Sequence, residues 1–169
     1  AWVFSLAICC LGLAAAGGGV ILGRIGPRRL AVTGALLFSG GHFLAALALH
    51  WRSLPLLYFG YGILGGTGLG LGYVTPVATV ARWFPDRKGL ATGTVIMGFG
   101  FGALMMSKAL APVLLAAAGG NLVTVFGVLG GLFLLFTVPC AWLLRNPPMD
   151  PAGLAPAMEG GLVSDSVRP

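Results

Sequence analysis

Acidic side chains are scarce in this chain, with four Asp and Glu among 169 residues against ten Lys and Arg. Charged residues of both signs make up 8% and hydrophobic ones 57%, whereas ordinary globular domains carry about a quarter charged. A chain so composed cannot keep its apolar surface out of water as a soluble globule, and its mean hydropathy of +0.97 agrees. Cysteine is scarce as well. Cys9 and Cys10 are adjacent and Cys140 lies alone in an apolar run, so no metal-ligand or disulfide spacing exists. His42 and His50 have no acidic neighbours, so the clustered acid, base and nucleophile of a membrane-embedded enzyme are missing; no catalytic residue, metal or cofactor is expected. The basic residues stand singly or in short loops and make no phosphate-tracking stripe, which excludes a nucleic-acid partner despite a pI near 9.9.

What the chain does have is length without charge. Residues 1–23, 30–51 and 53–81 contain no Asp, Glu, Lys or Arg, and about 20 apolar residues suffice to cross a bilayer core. A fourth apolar run from Gly89 to about Ala117 is interrupted by Lys108, and a fifth covers 122–144 after the break at Gly119-Gly120-Asn121. The spacing predicts an all-α membrane bundle over 1–145, with spans at about 1–23, 30–51, 54–81, 88–117 and 121–144. The segment 146–169, with Pro147, Pro148, Pro151 and Pro156 among small and acidic residues, reads as a linker. Ala1 stands already inside an apolar run with no charged stretch before it, so the chain reads as starting within a protein.

The loops carry a sidedness signal. Arg24, Arg28 and Arg29 fill the first, Arg82, Arg87 and Lys88 the third, and Arg145 follows the last span; the alternate loops hold Arg52 and nothing. Basic residues are retained on the cytoplasmic side, so the first span is expected to run inward and the tail to lie in the cytoplasm.

Two strings go further. Gly19-Val20-Ile21-Leu22-Gly23-Arg24-Ile25-Gly26-Pro27-Arg28-Arg29-Leu30 resembles the loop between the second and third helices of major facilitator superfamily transporters, roughly G-x-L-x-D-R-x-G-R-R/K-x-x-L. Gly19, Arg24, Gly26, Arg28 and Leu30 fit, while Gly23 stands where the family has an aspartate. The string Arg82-Trp83-Phe84-Pro85-Asp86-Arg87-Lys88-Gly89-Leu90-Ala91-Thr92-Gly93, with Gly68-Leu69-Gly70-Leu71-Gly72-Tyr73 before it and Met97-Gly98-Phe99-Gly100-Phe101-Gly102-Ala103 after it, is similar to the oxalate/formate antiporter family of that superfamily.

The resemblance implies five transmembrane helices corresponding to helices 2–6 of a twelve-helix fold, in the cell (inner) membrane. The first helix and the C-terminal six-helix half would then be missing partners. It also implies alternating-access transport of small organic anions such as oxalate, formate or monocarboxylates, in a cavity lined by aromatics with cationic anchors in the absent half. Proton-coupled transport of another solute and a non-transporting scaffold stay open. In the superfamily the aspartate helps latch the first loop to the other half. With Gly23 in its place, any latch rests on Arg24, Arg28, Arg29 and Asp86.

Depth selects candidates for the cavity. Tyr73 lies eight residues before Ala81 and Phe99 eleven after Lys88, roughly 12 and 17 Å into the membrane at 1.5 Å per residue. Transporter sites sit near the midplane. Tyr73 offers a hydroxyl to a carboxylate and Phe99 a wall, although aromatics in spans also serve plain packing. Lys108, roughly 30 Å from Lys88, either snorkels to the headgroups or attracts incoming anions. His42, roughly 18 Å into its span, is either a hydrogen-bonded structural residue or a proton relay.

Glycine spacing predicts close helix contacts. Gly62, Gly66 and Gly70 form one ridge, Gly68 and Gly72 a second, and Gly98 with Gly102 a third in the next helix. Pro76 and Pro112 are expected to interrupt their helices, and Asp86 to cap the helix after it. By the resemblance to the superfamily, the arginine of the R-x-x-Q-G pattern of many proton-coupled exporters would fall on Gly62, which favours anion exchange.

Overall fold

The computed structural model describes residues 2–145, and within them five long helices account for almost every residue. They are α1 (Trp2–Ile25), α2 (Pro27–His50), α3 (Leu54–Trp83), α4 (Pro85–Ala117) and α5 (Leu122–Leu143), each long and apolar enough to cross a membrane. The segment expected to be a linker, 146–169, lies outside the described residues.

Each boundary has a local cause. Gly26 takes φ 85°, open to glycine without strain, and Pro27 then starts α2 at the position where a missing N–H is harmless. Arg24 sits in the last turn of α1, where a cation complements the helix dipole. Gly119 and Gly120 at φ 58° and 80° reverse the chain between α4 and α5. Asn121 then caps α5, its side-chain oxygen accepting from the Val123 N–H at 3.0 Å.

Two helices leave the α register. Residues Tyr58–Gly65 of α3 and Met106–Leu110 of α4 form π-helical turns. The second immediately precedes Pro112, whose ring crowds the carbonyl four residues back and removes a donor, so the wider turn accommodates it. Pro76, expected to break its helix, does not: α-helix continues from Gly66 to Trp83 around it. Thr75 and Thr79 on either side donate to the carbonyls of Leu71 and Thr75 at 2.6 and 2.7 Å. Asp86 caps nothing; it lies in the 3₁₀ turn Pro85–Arg87, and the α-helix that follows has no side-chain cap.

The helices pack in the spatial order α1, α3, α2, α5, with α4 leaning on α3 and touching α5 lightly. Half of the most apolar stretch of α2 is buried and none of that of α4, so α2 is the centre of the bundle and α4 an open flank. Glycines set the spacing around α3. A Cβ on Gly62 would meet Leu6 at 2.9 Å, and Cβ atoms on Gly66 and Gly70 would strike the backbone carbonyls of Ala7 and Leu11, all on α1. On the opposite side Gly68 abuts the Phe38 backbone nitrogen of α2. Gly34 and Gly41, two turns apart on α2, answer with Cβ positions 3.1 Å from the Gly68 carbonyl and 2.7 Å from the Gly65 nitrogen. Gly98 and Gly102 meet nothing within 4 Å among the described residues.

Candidate functional site

Tyr73 of α3 and Phe99 of α4 stand opposite each other, ring centroids 5.5 Å apart and tilted 70° in an edge-to-face pair. Counted from the observed α-helix ends at Trp83 and Lys88, they lie roughly 15 and 17 Å along their helices. Tyr73 is half-buried and its hydroxyl bonds nothing among the described residues; Phe99 is 49% exposed. The pair therefore presents one free phenolic donor beside an apolar ring at mid-depth, on the flank that α4 leaves open.

His42 occupies a different place. It is 6% exposed in the seam where α2 meets α3 and α5. Its Nδ1 lies 2.8 Å from the Phe38 carbonyl, and since a carbonyl accepts, Nδ1 carries the proton. Four aromatic rings surround it: Phe38 at 4.6 Å, Phe133 at 5.0 Å, Tyr61 at 5.7 Å and Phe126 at 6.1 Å. No ring contact joins this cluster to Tyr73 and Phe99 among the described residues. One helical turn away the Ser39 hydroxyl is fully buried without a hydrogen-bond partner.

Lys108 lies nine residues beyond Phe99 on α4, exposed inside the π turn Met106–Leu110. Of the four cavity candidates, the structure joins Tyr73 with Phe99 and leaves His42 and Lys108 elsewhere. Two open clefts flank α4. One of about 640 Å³ at the basic end is lined by Val80, Trp83, Phe84, Asp86, Arg87 and Thr94 among others. The other, about 510 Å³, runs between α4 and Phe133 of α5 and includes Gly102. Neither contains Tyr73, Phe99, His42 or Lys108.

The basic loop is tied within the bundle. The Arg28 guanidinium lies 4.0 Å over the Trp142 ring of α5, and Trp83 Nε1–H donates to the Arg145 carbonyl at 2.9 Å. Gly19, Arg24, Arg29 and Asp86 are exposed. The aromatic cluster and these two tryptophan contacts were not expected from sequence, because Trp142 and the α5 phenylalanines sit in a uniformly apolar run.

A profile of the Major Facilitator Superfamily matches residues 1–166. The chain is 34% identical over 161 residues to monocarboxylate transporter 11 of Mus musculus, covering 92% of this chain and 33% of that protein. It is 33% identical over 132 residues to the oxalate:formate antiporter of Oxalobacter formigenes, covering 78% and 30% respectively. With apicoplast pyruvate carrier 1 of Toxoplasma gondii it shares 36% identity over 107 residues, covering 63% and 19%. The chain thus spans about a third or less of the length of these curated relatives.

Proposed function

Since the chain belongs to the major facilitator superfamily and is a multi-pass membrane protein, we propose that it forms part of a carrier that exchanges or imports small organic anions by alternating access. The observation that carries this reading is the Tyr73–Phe99 pair, a free hydroxyl and an apolar ring at mid-depth on an open flank. A carboxylate needs a donor and a dry wall, and these two supply both. The names of the relatives, carriers of pyruvate, monocarboxylates and oxalate with formate, support carboxylates as the class.

In this reading α1–α5 are helices 2–6 of the twelve-helix fold, and the facing wall with its cationic anchors comes from the rest of the parent protein. The bundle rocks against that other half about the midplane site. The basic end faces the cytoplasm of a cell carrying the protein in its inner membrane, by the excess of Lys and Arg in the loops at that end. His42, enclosed by four rings and bonded to Phe38, fastens α2 to its neighbours and is not used to relay protons.

The test is counterflow in vesicles containing the full-length parent. Labelled oxalate, formate and lactate are offered against unlabelled carboxylate, with neutral solutes as controls. Carboxylates exchange, and Tyr73→Phe raises KM several-fold while leaving protein in the membrane unchanged. Exchange of neutral solutes in place of carboxylates would overturn the assignment.

A further inference from the structure

At the basic end, the first turn of α2 and the last turn of α5 meet in a corner built from arginine and tryptophan. Arg28 stacks on Trp142 at 4.0 Å, and the backbone of Arg145, three residues on, is held by its carbonyl accepting from the Trp83 Nε1–H. A guanidinium whose flat face is taken by an indole still presents its N–H edge, the geometry that grips phosphate oxygens. Arg29 is exposed beside Arg28, and the first turn of α2 holds no acidic residue. Asp86, the one acidic side chain among the described residues, sits in the 3₁₀ turn Pro85–Arg87 that opens α4. The cations at this corner thus lack counterions from the described protein.

Its surroundings are those of a membrane boundary. Trp142 and Trp83 are 60% and 46% exposed, placing amphipathic rings where headgroups lie. Just along α5, Leu143 and Phe136 are exposed, an apolar flank running away from the arginines into the depth of the span. Cationic donors at the rim with an apolar flank beneath match a molecule that has an anionic head and hydrocarbon tails; a soluble phosphate would use the rim alone.

We propose that this corner is a binding site for an anionic phospholipid, its phosphodiester held by Arg28, Arg29 and Arg145 and its acyl chains laid along Phe136 and Leu143. The site is separate from the Tyr73–Phe99 pair and does not depend on what is transported. It also gives Arg28 and Arg29 a role that needs no aspartate at position 23.

Tryptophan quenching tests it directly. In a Trp2→Phe/Trp51→Phe protein, the remaining indoles, Trp83 and Trp142, both report from the basic end. This chain is placed in phosphatidylcholine vesicles with a small fraction of brominated lipid. Brominated phosphatidylglycerol is expected to quench roughly two- to threefold more than brominated phosphatidylcholine, in line with the pull of a few surface cations on an anionic lipid. Arg28→Gln/Arg29→Gln abolishes the excess at unchanged helicity, whereas Arg52→Gln at the opposite end retains it. Should the double variant fail to insert, Arg145→Gln alone reduces the excess. Equal quenching by the two lipids, an excess that survives these substitutions, or its loss to inorganic phosphate at matched ionic strength overturns the proposal.

Discussion

Glycine means different things at Gly68 and Gly98. Gly68 presses on the Phe38 backbone, so Gly68→Val must push α2 and α3 apart, an overpacking cost of about 1–3 kcal/mol. Gly98 meets nothing within 4 Å among the described residues, and there Gly98→Ala gains up to about 1 kcal/mol of helix propensity. Unfolding the chain in mixed detergent micelles separates the two: the midpoint falls for Gly68→Val and holds or rises for Gly98→Ala. Ser39 offers a third case. Its buried hydroxyl lacks a partner, so Ser39→Ala removes a desolvation penalty of about 1–3 kcal/mol at little loss of packing, and the same assay is expected to show stabilisation. The glycine periods were readable from the sequence. Which ridges meet another backbone was not, because spacing gives a helix face and leaves its neighbour undetermined.

Among the helices, the π turns show local chemistry and packing acting together. Pro112 requires room for its ring, and the turn Met106–Leu110 supplies it. Pro112→Ala is therefore expected to restore α register there and to slow amide exchange over 108–112, while exchange in α2 is unchanged. Pro55 stands at the start of α3, where a proline is harmless, yet Tyr58–Gly65 is also π-helical. There the Gly41 contact with Gly60 and Gly65 accompanies the wider turn, a tertiary feature that proline counting misses. Between α2 and α5 the Arg28–Trp142 stack is a modest fastener. Trp142→Ala is expected to lower stability by about 0.5–1 kcal/mol, the range for an exposed cation–π contact, read as a small fall in the same unfolding midpoint.

For the molecule as a whole, five spans put its first loop and residue 145 at one end and the α2–α3 loop at the other. In a cysteine-free background, Ile25→Cys and Leu144→Cys should be labelled by an impermeant thiol reagent from the same face, and Ser53→Cys from the opposite one. Labelling of positions 25 and 144 from opposite faces would contradict the five-span bundle. If the proposed reading of Tyr73 and Phe99 as one half of a cavity holds, this chain by itself is expected not to catalyse counterflow, measured in vesicles against a protein that spans the full length of the relatives.

The amino-acid sequence by itself determined that this protein crosses a membrane in helices, where its turns fall and which end is basic. Each of these follows from local composition: runs without charge, glycine at positive φ, proline at a helix start. The superfamily, too, was legible in the loop from Gly19 to Leu30 and the one around Asp86. Only the tertiary structure decided that α2 is central and α4 open, that His42 lies in an aromatic seam away from Tyr73, and that Arg28 rests on Trp142. Those outcomes depend on which faces of nearly uniformly apolar helices meet. In such helices close backbone approach and ring geometry choose the neighbours, and neither is written in hydrophobic pattern.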